Sequence, residues 1–254
     1  MISPSLGLVF KVILRSSNVF RFKRFSIEQD RTPMKVGTDG VLLGAWVDIR
    51  SDERHILDIG TGTGVIALMM AQRNPDSIID GVEIDQDSAY QASENVAASP
   101  WSERVTIHHS DIQSFSPSYK YDLIVTNPPY FVDSLLSPDG RRSVARHTTG
   151  LLFCELVEVV MRLLNTDGRF ALILPTTESH LFDEEATGRL RLTRRCEVFS
   201  REGGPVKRVM SEYRLASSEL MAECRFEDIT IESGRPPQFT EEYRALTADF
   251  YLKF

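Results

Sequence analysis

The stretch His55-Ile56-Leu57-Asp58-Ile59-Gly60-Thr61-Gly62-Thr63-Gly64 decides the fold of this chain. Its first half is an apolar run of strand length, and three alternating glycines follow at once. Helical periodicity then begins, with Ile66 and Met69 on one side of a helix predicted over Val65–Gln72. A strand that turns through glycines into a helix presents unpaired backbone N–H groups to a ligand.

The region from His55 to about Ala216 repeats this alternation of short apolar strands and amphipathic helices. Further strands are predicted at 78–82, 105–107, 122–125 and 170–174, and further helices at 87–98 and 151–164, the last stopped by Asp167-Gly168. Gly203-Gly204-Pro205 lies between Arg195–Ser200 and Arg208–Leu215, as in a β-hairpin. The pattern predicts a Rossmann-like, doubly wound α/β fold with a mostly parallel seven-stranded sheet and an antiparallel C-terminal hairpin.

We expect one domain over residues 20–254, made of three parts. A hairpin or lid at Phe20–Ile27 and a helix occupy residues 20–50, the core spans 51–216, and a C-terminal appendage with a strand near Phe226–Ile229 spans 217–254. Residues 1–19 do not show the order of charge, apolar stretch and cleavage site of a secretory signal. They are predicted to be a disordered extension or to precede the true start.

The composition indicates a cytoplasmic protein without a membrane span or a metal site. The apolar runs are too short to cross a bilayer. Cys154, Cys196 and Cys224 show neither metal-ligand spacing nor a pairing framework, which is typical of reduced thiols.

The net charge of −7 weighs against a nucleic-acid partner, because phosphates favour basic surfaces. The basic residues are nevertheless clustered, which keeps such a partner possible. The three clusters are Arg21, Lys23, Arg24, Arg31 and Lys35; Arg141, Arg142 and Arg146; and Arg189, Arg191, Arg194, Arg195, Arg201, Lys207 and Arg208.

An acid directly before G-x-G-x-G resembles the first motif of class I methyltransferases, which use S-adenosyl-L-methionine. In that family this acid positions the methionine end, an acid ending the second strand binds the ribose hydroxyls, and an acid after the third strand contacts the adenine. Glu83 has no basic neighbour that would hold the 2′-phosphate of a dinucleotide. The resemblance therefore implies a cofactor site formed by Asp58, Gly60, Gly62, Gly64, Glu83 and Asp111.

Asn127-Pro128-Pro129-Tyr130 follows a predicted strand and is therefore expected at the carboxyl edge of the sheet, where open α/β sheets bind ligands. A planar –NH2 group is a poor nucleophile, since its lone pair is delocalised. The Asn127 side-chain carbonyl and the Pro128 backbone carbonyl can accept its two N–H groups out of plane, and the prolines hold both acceptors still. Tyr130 offers a flat face for stacking. These four residues are the predicted catalytic set for methylation of an amino group.

The segment Gln29–Trp46 is predicted to form a turn and then a helix capped by Thr38 or Asp39. Together with Asp58–Gly64 and Asn127–Tyr130, it resembles the bacterial tRNA1(Val) (adenine-N6)-methyltransferase family over residues 20 to 254. This resemblance implies an enzyme that methylates N6 of adenine 37 in the anticodon loop, and we expect it to be a monomer. It places Thr38, Asp39 and Asn127 beside the cofactor. The RNA contacts that it implies are Lys35, Arg141, Arg142, Arg146, Lys207 and Arg208.

Four alternatives remain open. A glutamine-amide methyltransferase of release factors shares the Asn-Pro-Pro-Tyr motif, but it normally carries a helical N-terminal domain, for which there is no room. A DNA adenine methyltransferase usually has a separate target-recognition region, and residues 219–254 are short for one. A ribosomal RNA guanine-N2 enzyme more often has Phe at the last motif position. A catalytically silent RNA-binding module would not need intact Asp58, Glu83, Asp111 and Asn127.

Overall fold

The computed structural model describes residues 18–129, 151–220, 223–234 and 238–253. Residues 1–17 of the predicted extension lie outside this part of the chain. The extension was predicted to reach residue 19, but Val19 begins the first strand and the Asn18 carbonyl accepts a hydrogen bond from Gln29 N.

A β-hairpin and a helix precede the core. The hairpin pairs β1 (Val19–Arg21) with β2 (Ser26–Glu28), as predicted, and α1 spans Thr38–Trp46. The residue that caps α1 is Gly37, and no side chain caps the helix, so the predicted capping by Thr38 or Asp39 is wrong. Both residues already belong to the first helical turn, which leaves their side chains available to other partners.

The core alternates strands and helices at the predicted positions, with one further helix, Thr176–Ala186, that was not predicted from the sequence. Its elements are β3 (His55–Ile59), α2 (Val65–Arg73), β4 (Ile78–Glu83), α3 (Gln86–Ala97), β5 (Val105–His109), β6 (Tyr121–Thr126), α4 (Phe153–Leu163), β7 (Leu164–Pro175) and α5 (Thr176–Ala186). The C-terminal part holds β8 (Leu190–Arg201), β9 (Val206–Leu215), β10 (Arg225–Glu232) and α6 (Glu241–Thr247). None of the described helices is long and apolar enough to cross a membrane.

The strands form one large sheet in the order β10-β8-β9-β7-β6-β3-β4-β5. The pairs from β5 through β4, β3 and β6 to β7 are parallel, while β9 pairs antiparallel with β7 and β8, which confirms the predicted fold class and the closing hairpin. The sheet has eight strands and not seven, because β10 extends it in parallel register with β8. The alternation near Phe226–Ile229 predicted this strand, but a short edge strand carries no sequence signal for its partner.

Helix α4 ends earlier than Asp167-Gly168 predicted. Leu164 leaves the helix with extended dihedral angles, φ −78° and ψ 137°, and pairs with Tyr121 of β6. Asp167 and Gly168 instead lie within β7, where the register with β6 shifts between Tyr121 and Leu123. The stop signal at Asp167-Gly168 was predicted wrongly, because strand pairing, which is not local, ended the helix at Leu163, one residue before the predicted end.

Buried apolar clusters cover both faces of the sheet. One contains side chains of α1, α2 and α6, and the other contains side chains of α4 and α5. Alternate residues of β3 point to opposite faces, Ile56 into the first cluster and Leu57 into the second. Asp58 therefore points to the same face as Ile56, towards α1 and α2.

Chain direction brings many strand ends to one edge of the sheet. The parallel strands β3, β4, β5, β6 and β7 all end there. Because β9 is antiparallel to β7, and β8 and β10 run opposite to β9, the turn between β8 and β9 and the end of β10 lie at this edge too. The carboxyl edge therefore collects the glycine-rich turn, the Asn-Pro-Pro segment and the turn of the C-terminal hairpin.

Candidate active site

The glycine-rich turn after β3 has the backbone geometry of a ligand-binding loop. Gly60, Gly62 and Gly64 have φ of 66°, 55° and 81°, a region that residues with a side chain rarely adopt. Gly60 N and Thr61 N donate to Val82 O at 2.8 and 3.2 Å, which ties the loop to the end of β4. Gly64 caps α2, so the loop leads directly to a helix N-terminus.

Asp58, directly before this loop, is fully buried, and only one of its two carboxylate oxygens has hydrogen-bond donors among the described residues. Its Oδ2 accepts hydrogen bonds from Thr61 Oγ1 at 2.6 Å and Ala67 N at 3.2 Å. Its Oδ1 is equally buried and has no hydrogen-bond partner among the described residues. A buried acceptor without a donor is costly, so this oxygen fits a ligand with an N–H group, such as an amino-acid ammonium. Burial raises the pKa of Asp58 to about 7, and the negative charge of Glu83 adds to the shift.

The raised pKa predicts how stability depends on pH without cofactor. The folded protein holds the Asp58 proton up to about pH 7, whereas the unfolded chain releases it near 3.8. Between these values the folded state binds more protons, so the free energy of unfolding falls as pH rises. Asp58→Asn should remove this part of the slope, on the order of a few kcal/mol, in denaturant unfolding at a series of pH values.

Asp111→Asn is the matched control, because it makes the same substitution at an exposed side chain of the same predicted cofactor site. Equal pH slopes in wild type and Asp58→Asn would contradict the assignment.

Glu83 and Asp111 lie side by side next to the loop. The Glu83 carboxylate accepts from Gly62 N at 2.9 Å and Asp85 N at 3.0 Å, which fixes its orientation and leaves lone pairs for ligand hydroxyls. Ser110 N donates to Glu83 O at 2.9 Å, which brings the segment after β5 against the end of β4. Asp111 follows there, with Oδ1 accepting from Gln113 N at 2.9 Å.

Ile84 is a residue that the sequence analysis missed. It directly follows Glu83 and its side chain is 68% exposed, the second-highest exposure among the large exposed apolar residues in the described part of the chain. The signal was an isolated apolar residue between the strand-ending Glu83 and Asp85. Its position offers apolar contact to a flat ring held between the two strand ends.

Asn127 lies next to the glycine-rich turn. Thr126 pairs in register with Ile59, and Thr126 Oγ1 donates to Ile59 O at 2.8 Å, so Asn127 and Gly60 leave the sheet side by side. Gly40 of α1 lies against Asn127 and the start of α2, because a Cβ added there would be 3.9 Å from Asn127 Nδ2 and 3.5 Å from Val65 Cγ1. The sequence analysis did not single out Gly40, whose lack of a side chain keeps space beside the Asn127 amide.

The other predicted motif residues have different surroundings. Pro128 is buried and Pro129 is exposed, whereas Tyr130 lies outside the described residues. Asp39 Oδ2 accepts from Arg208 Nε at 2.8 Å, which joins the first turn of α1 to β9. Thr38 is exposed beside Asp39. The first turn of α1 thus lies close to Asn127 through Gly40.

The predicted RNA contacts fall into two groups. Lys35 and Lys207 are exposed, and Arg208 is partly exposed while it holds Asp39. Arg141, Arg142 and Arg146 lie outside the described residues. Within the described ranges, no group of three or more His, Cys, Asp or Glu side chains is arranged to hold a metal ion.

Comparisons with known proteins agree on one family. The family model described as methyltransferase small domain matches residues 39–177. Two tRNA1(Val) (adenine(37)-N6)-methyltransferases, from Phocaeicola vulgatus and Bacteroides thetaiotaomicron, are 46% and 43% identical, and each alignment covers 92% of this chain and 97% of the relative.

Solved structures show the same fold at lower identity. A predicted O-methyltransferase from Agrobacterium tumefaciens superposes with a TM-score of 0.64 at 18% identity, covering 84% of this chain and 96% of its own. A putative class I S-adenosylmethionine-dependent methyltransferase from Listeria monocytogenes gives 0.55 at 14% identity, with coverages of 75% and 62%. At this identity the structures establish the class I methyltransferase fold alone.

Proposed function

This chain belongs to the tRNA1(Val) (adenine(37)-N6)-methyltransferase family, and we therefore propose that it methylates N6 of adenine 37 in the anticodon loop of tRNA1(Val). The observation that carries the proposal is the position of Asn127, between the glycine-rich turn and Gly40 at the carboxyl edge. A planar amine bound there lies beside the place where the loop would hold a cofactor.

We propose that S-adenosyl-L-methionine is the cofactor, and the residues at the loop fit it. The unmatched Asp58 Oδ1 suits the ammonium of its methionine part, with Thr38 and Asp39 on the adjoining helical turn. The glycines allow its close approach to the backbone. Glu83 suits two ribose hydroxyls, and Ile84 and Asp111 lie where an adenine ring would follow. The cofactor supplies a methyl group activated by a sulfonium.

The protein's own contribution to transfer is to position the target amine. The Asn127 Oδ1 and the Pro128 carbonyl accept the two N–H groups of the adenine amino group, and Tyr130 stacks on the base. This arrangement turns the nitrogen lone pair towards the methyl donor, and Pro128 and Pro129 keep the acceptors rigid. A strong base is unnecessary during transfer, since the N–H becomes acidic as nitrogen gains positive charge.

The target adenine lies in a loop, where extraction from the stack costs a few kcal/mol at most. We propose that Lys35, Lys207 and Arg208 contact phosphates of the tRNA, as do Arg141, Arg142 and Arg146 outside the described residues. We further propose that the protein acts as a monomer in the cytoplasm.

The test is to incubate the purified protein with labelled S-adenosyl-L-methionine and total tRNA from a strain that lacks the gene. We expect label in N6-methyladenosine at position 37 of tRNA1(Val) alone, as nucleoside analysis and mapping would show. Label in N2-methylguanosine, in DNA or in a release factor would refute the proposal in favour of the corresponding alternative. Calorimetry that detects no binding of the cofactor at millimolar concentration would indicate a silent module.

A further inference from the structure

A second depression, which we call the basic cleft, opens at the carboxyl edge beside the proposed transfer site. It has a volume of about 900 Å³, within the range of ligand-binding pockets. Its walls are β1, the first turn of α1, the ends of β8 and β10, the start of β9, and the segment around α6. The glycine-rich turn, Glu83 and Asp111 do not line it, so it shares only Thr38 and Asp39 with the proposed cofactor site.

The charge of the basic cleft is opposite to that of the chain. Five basic and two acidic residues line it, whereas the whole chain has a net charge of −7. These residues are Arg21, Arg201, Lys207, Arg208 and Lys253, with Asp39 and Glu232. Both acids are already paired, Asp39 with Arg208 at 2.8 Å and Glu232 with Arg201 at 3.7 Å. The remaining three basic side chains are exposed and form no ion pair within the described residues. An anionic ligand would therefore meet uncompensated positive charge.

The floor of the basic cleft is aromatic and preassembled. Four rings line it, Phe20, Phe239, Tyr243 and Tyr251, of which Tyr243 is buried beneath the surface and the other three are partly exposed. Phe20 and Tyr251 have centroids 6.2 Å apart, Phe239 and Tyr243 are 5.3 Å apart, and the two tyrosine hydroxyls are 3.3 Å apart. Aromatic rings beneath basic side chains are the combination by which proteins bind single-stranded nucleic acids, because bases stack on the rings while phosphates meet the charges.

The basic cleft adjoins the place where the target base must bind. Asp39 lines the cleft, and the next residue, Gly40, is the one whose added Cβ would lie 3.9 Å from the Asn127 amide. On the other side, Arg208 pairs with Pro175 at the end of β7, the strand next to β6. A nucleotide in the cleft and a base at Asn127 would thus be neighbours along one RNA chain.

We propose that the basic cleft binds the single-stranded nucleotides next to the target adenine, with bases on the aromatic floor and phosphates at Arg21, Lys207 and Lys253. This inference rests on the proposed function, in that it takes the substrate to be RNA. It adds a second binding site, which selects an unstacked loop over a duplex, since only unpaired bases can reach the floor.

The test compares two charge-reversed pairs. The cleft pair combines Lys207→Glu with Lys253→Glu. The control pair combines Arg54→Glu with Lys120→Glu and reverses the same number of charges at the opposite edge of the sheet. Both control residues are exposed, one before β3 and the other before β6. Binding of an anticodon stem-loop RNA is measured over a range of salt concentrations, and binding of S-adenosyl-L-methionine is measured by calorimetry. We expect the cleft pair to bind the RNA at least about tenfold more weakly, with the salt slope reduced by about 0.7 for each lost phosphate contact. Cofactor affinity should stay unchanged, and the control pair should change the RNA slope less.

A change in the RNA tests the aromatic floor without disturbing the protein. Replacing the nucleotide beside the target adenine with an abasic one should weaken binding by about fivefold or more, because stacking on aromatic rings is lost. The same replacement in the stem should not show this loss.

The outcomes separate the inference from the proposed function. If the wild type methylates tRNA while the cleft pair keeps wild-type RNA affinity and salt slope, the inference is wrong and the function stands. If the wild type binds RNA with the expected dependence on Lys207 and Lys253 but methylates none, the function is wrong and the cleft stands. Loss of polyglutamate binding in the cleft pair, with RNA binding intact, would assign the cleft to an acidic peptide and overturn the inference.

Discussion

Asn127→Ala is expected to lower the turnover number by about a hundredfold to a thousandfold, the size seen when one group that stabilises a transition state is removed. The change deletes the proposed acceptor for the target amino group, which would turn the nitrogen lone pair towards the methyl donor. Asp58, Glu83 and the glycine-rich turn, the proposed cofactor site, keep their own contacts, so affinity for S-adenosyl-L-methionine should stay nearly that of the wild type. Single-turnover kinetics and calorimetry measure the two quantities separately.

Asn127→Asp is the matched variant, because it keeps the size of the side chain and an acceptor oxygen. Asn127→Asp should retain more turnover than Asn127→Ala. If lost packing against Gly40 were the cause instead, only Asn127→Ala, which shortens the side chain, would lose turnover. Near-wild-type turnover in Asn127→Ala would show that the acceptor is held by other groups, and the proposed mechanism would be wrong.

Arg169→Leu is expected to lower the free energy of unfolding by about 3–5 kcal/mol. Arg169 lies in β7, 1% exposed, and bridges two buried carboxylates. Its Nη1 donates to Glu212 Oε2 at 2.6 Å, and its Nε and Nη2 donate to Glu53 Oε1 at 3.1 and 2.5 Å. Removing the guanidinium leaves both carboxylates buried without a counter-charge, which costs far more than an exposed ion pair contributes. Denaturant unfolding measures the loss.

A triple variant tests the physical reason for that loss. Arg169→Leu combined with Glu53→Gln and Glu212→Gln removes all three charges and should recover much of the stability. A triple variant as unstable as Arg169→Leu would mean that lost packing, and not unpaired charge, causes the effect.

The sequence predicted the core because its signals are local. An apolar run ending in Gly60, Gly62 and Gly64 specifies a strand, a turn with positive φ and a helix, whatever surrounds it. The same holds for Glu83 and for Asn127, since each follows directly on its strand and parallel strands end at one edge. The order of elements and the approximate positions of these candidate residues could therefore be predicted from the sequence alone.

The errors arose where a distant partner decided the structure. Leu164 left its helix to pair with Tyr121, and β10 joined the sheet beside β8. Periodicity and propensity describe how a segment relates to its own neighbours in sequence. They contain no information about which strand edge a segment will meet.

By itself, the sequence determined the fold class, the glycine-rich turn, the acids beside it and the Asn-Pro-Pro segment, because chain connectivity alone carries these residues to the carboxyl edge. Only the tertiary structure decided that Arg208 holds Asp39 at 2.8 Å, that Gly40 adjoins the Asn127 amide, and that Phe20 and Tyr251 share one floor. These contacts join residues that are far apart in the chain. The separation is smallest for Gly40 and Asn127, at 87 positions, and largest for Phe20 and Tyr251, at 231. They depend on the burial of several elements at once, and no local pattern encodes that.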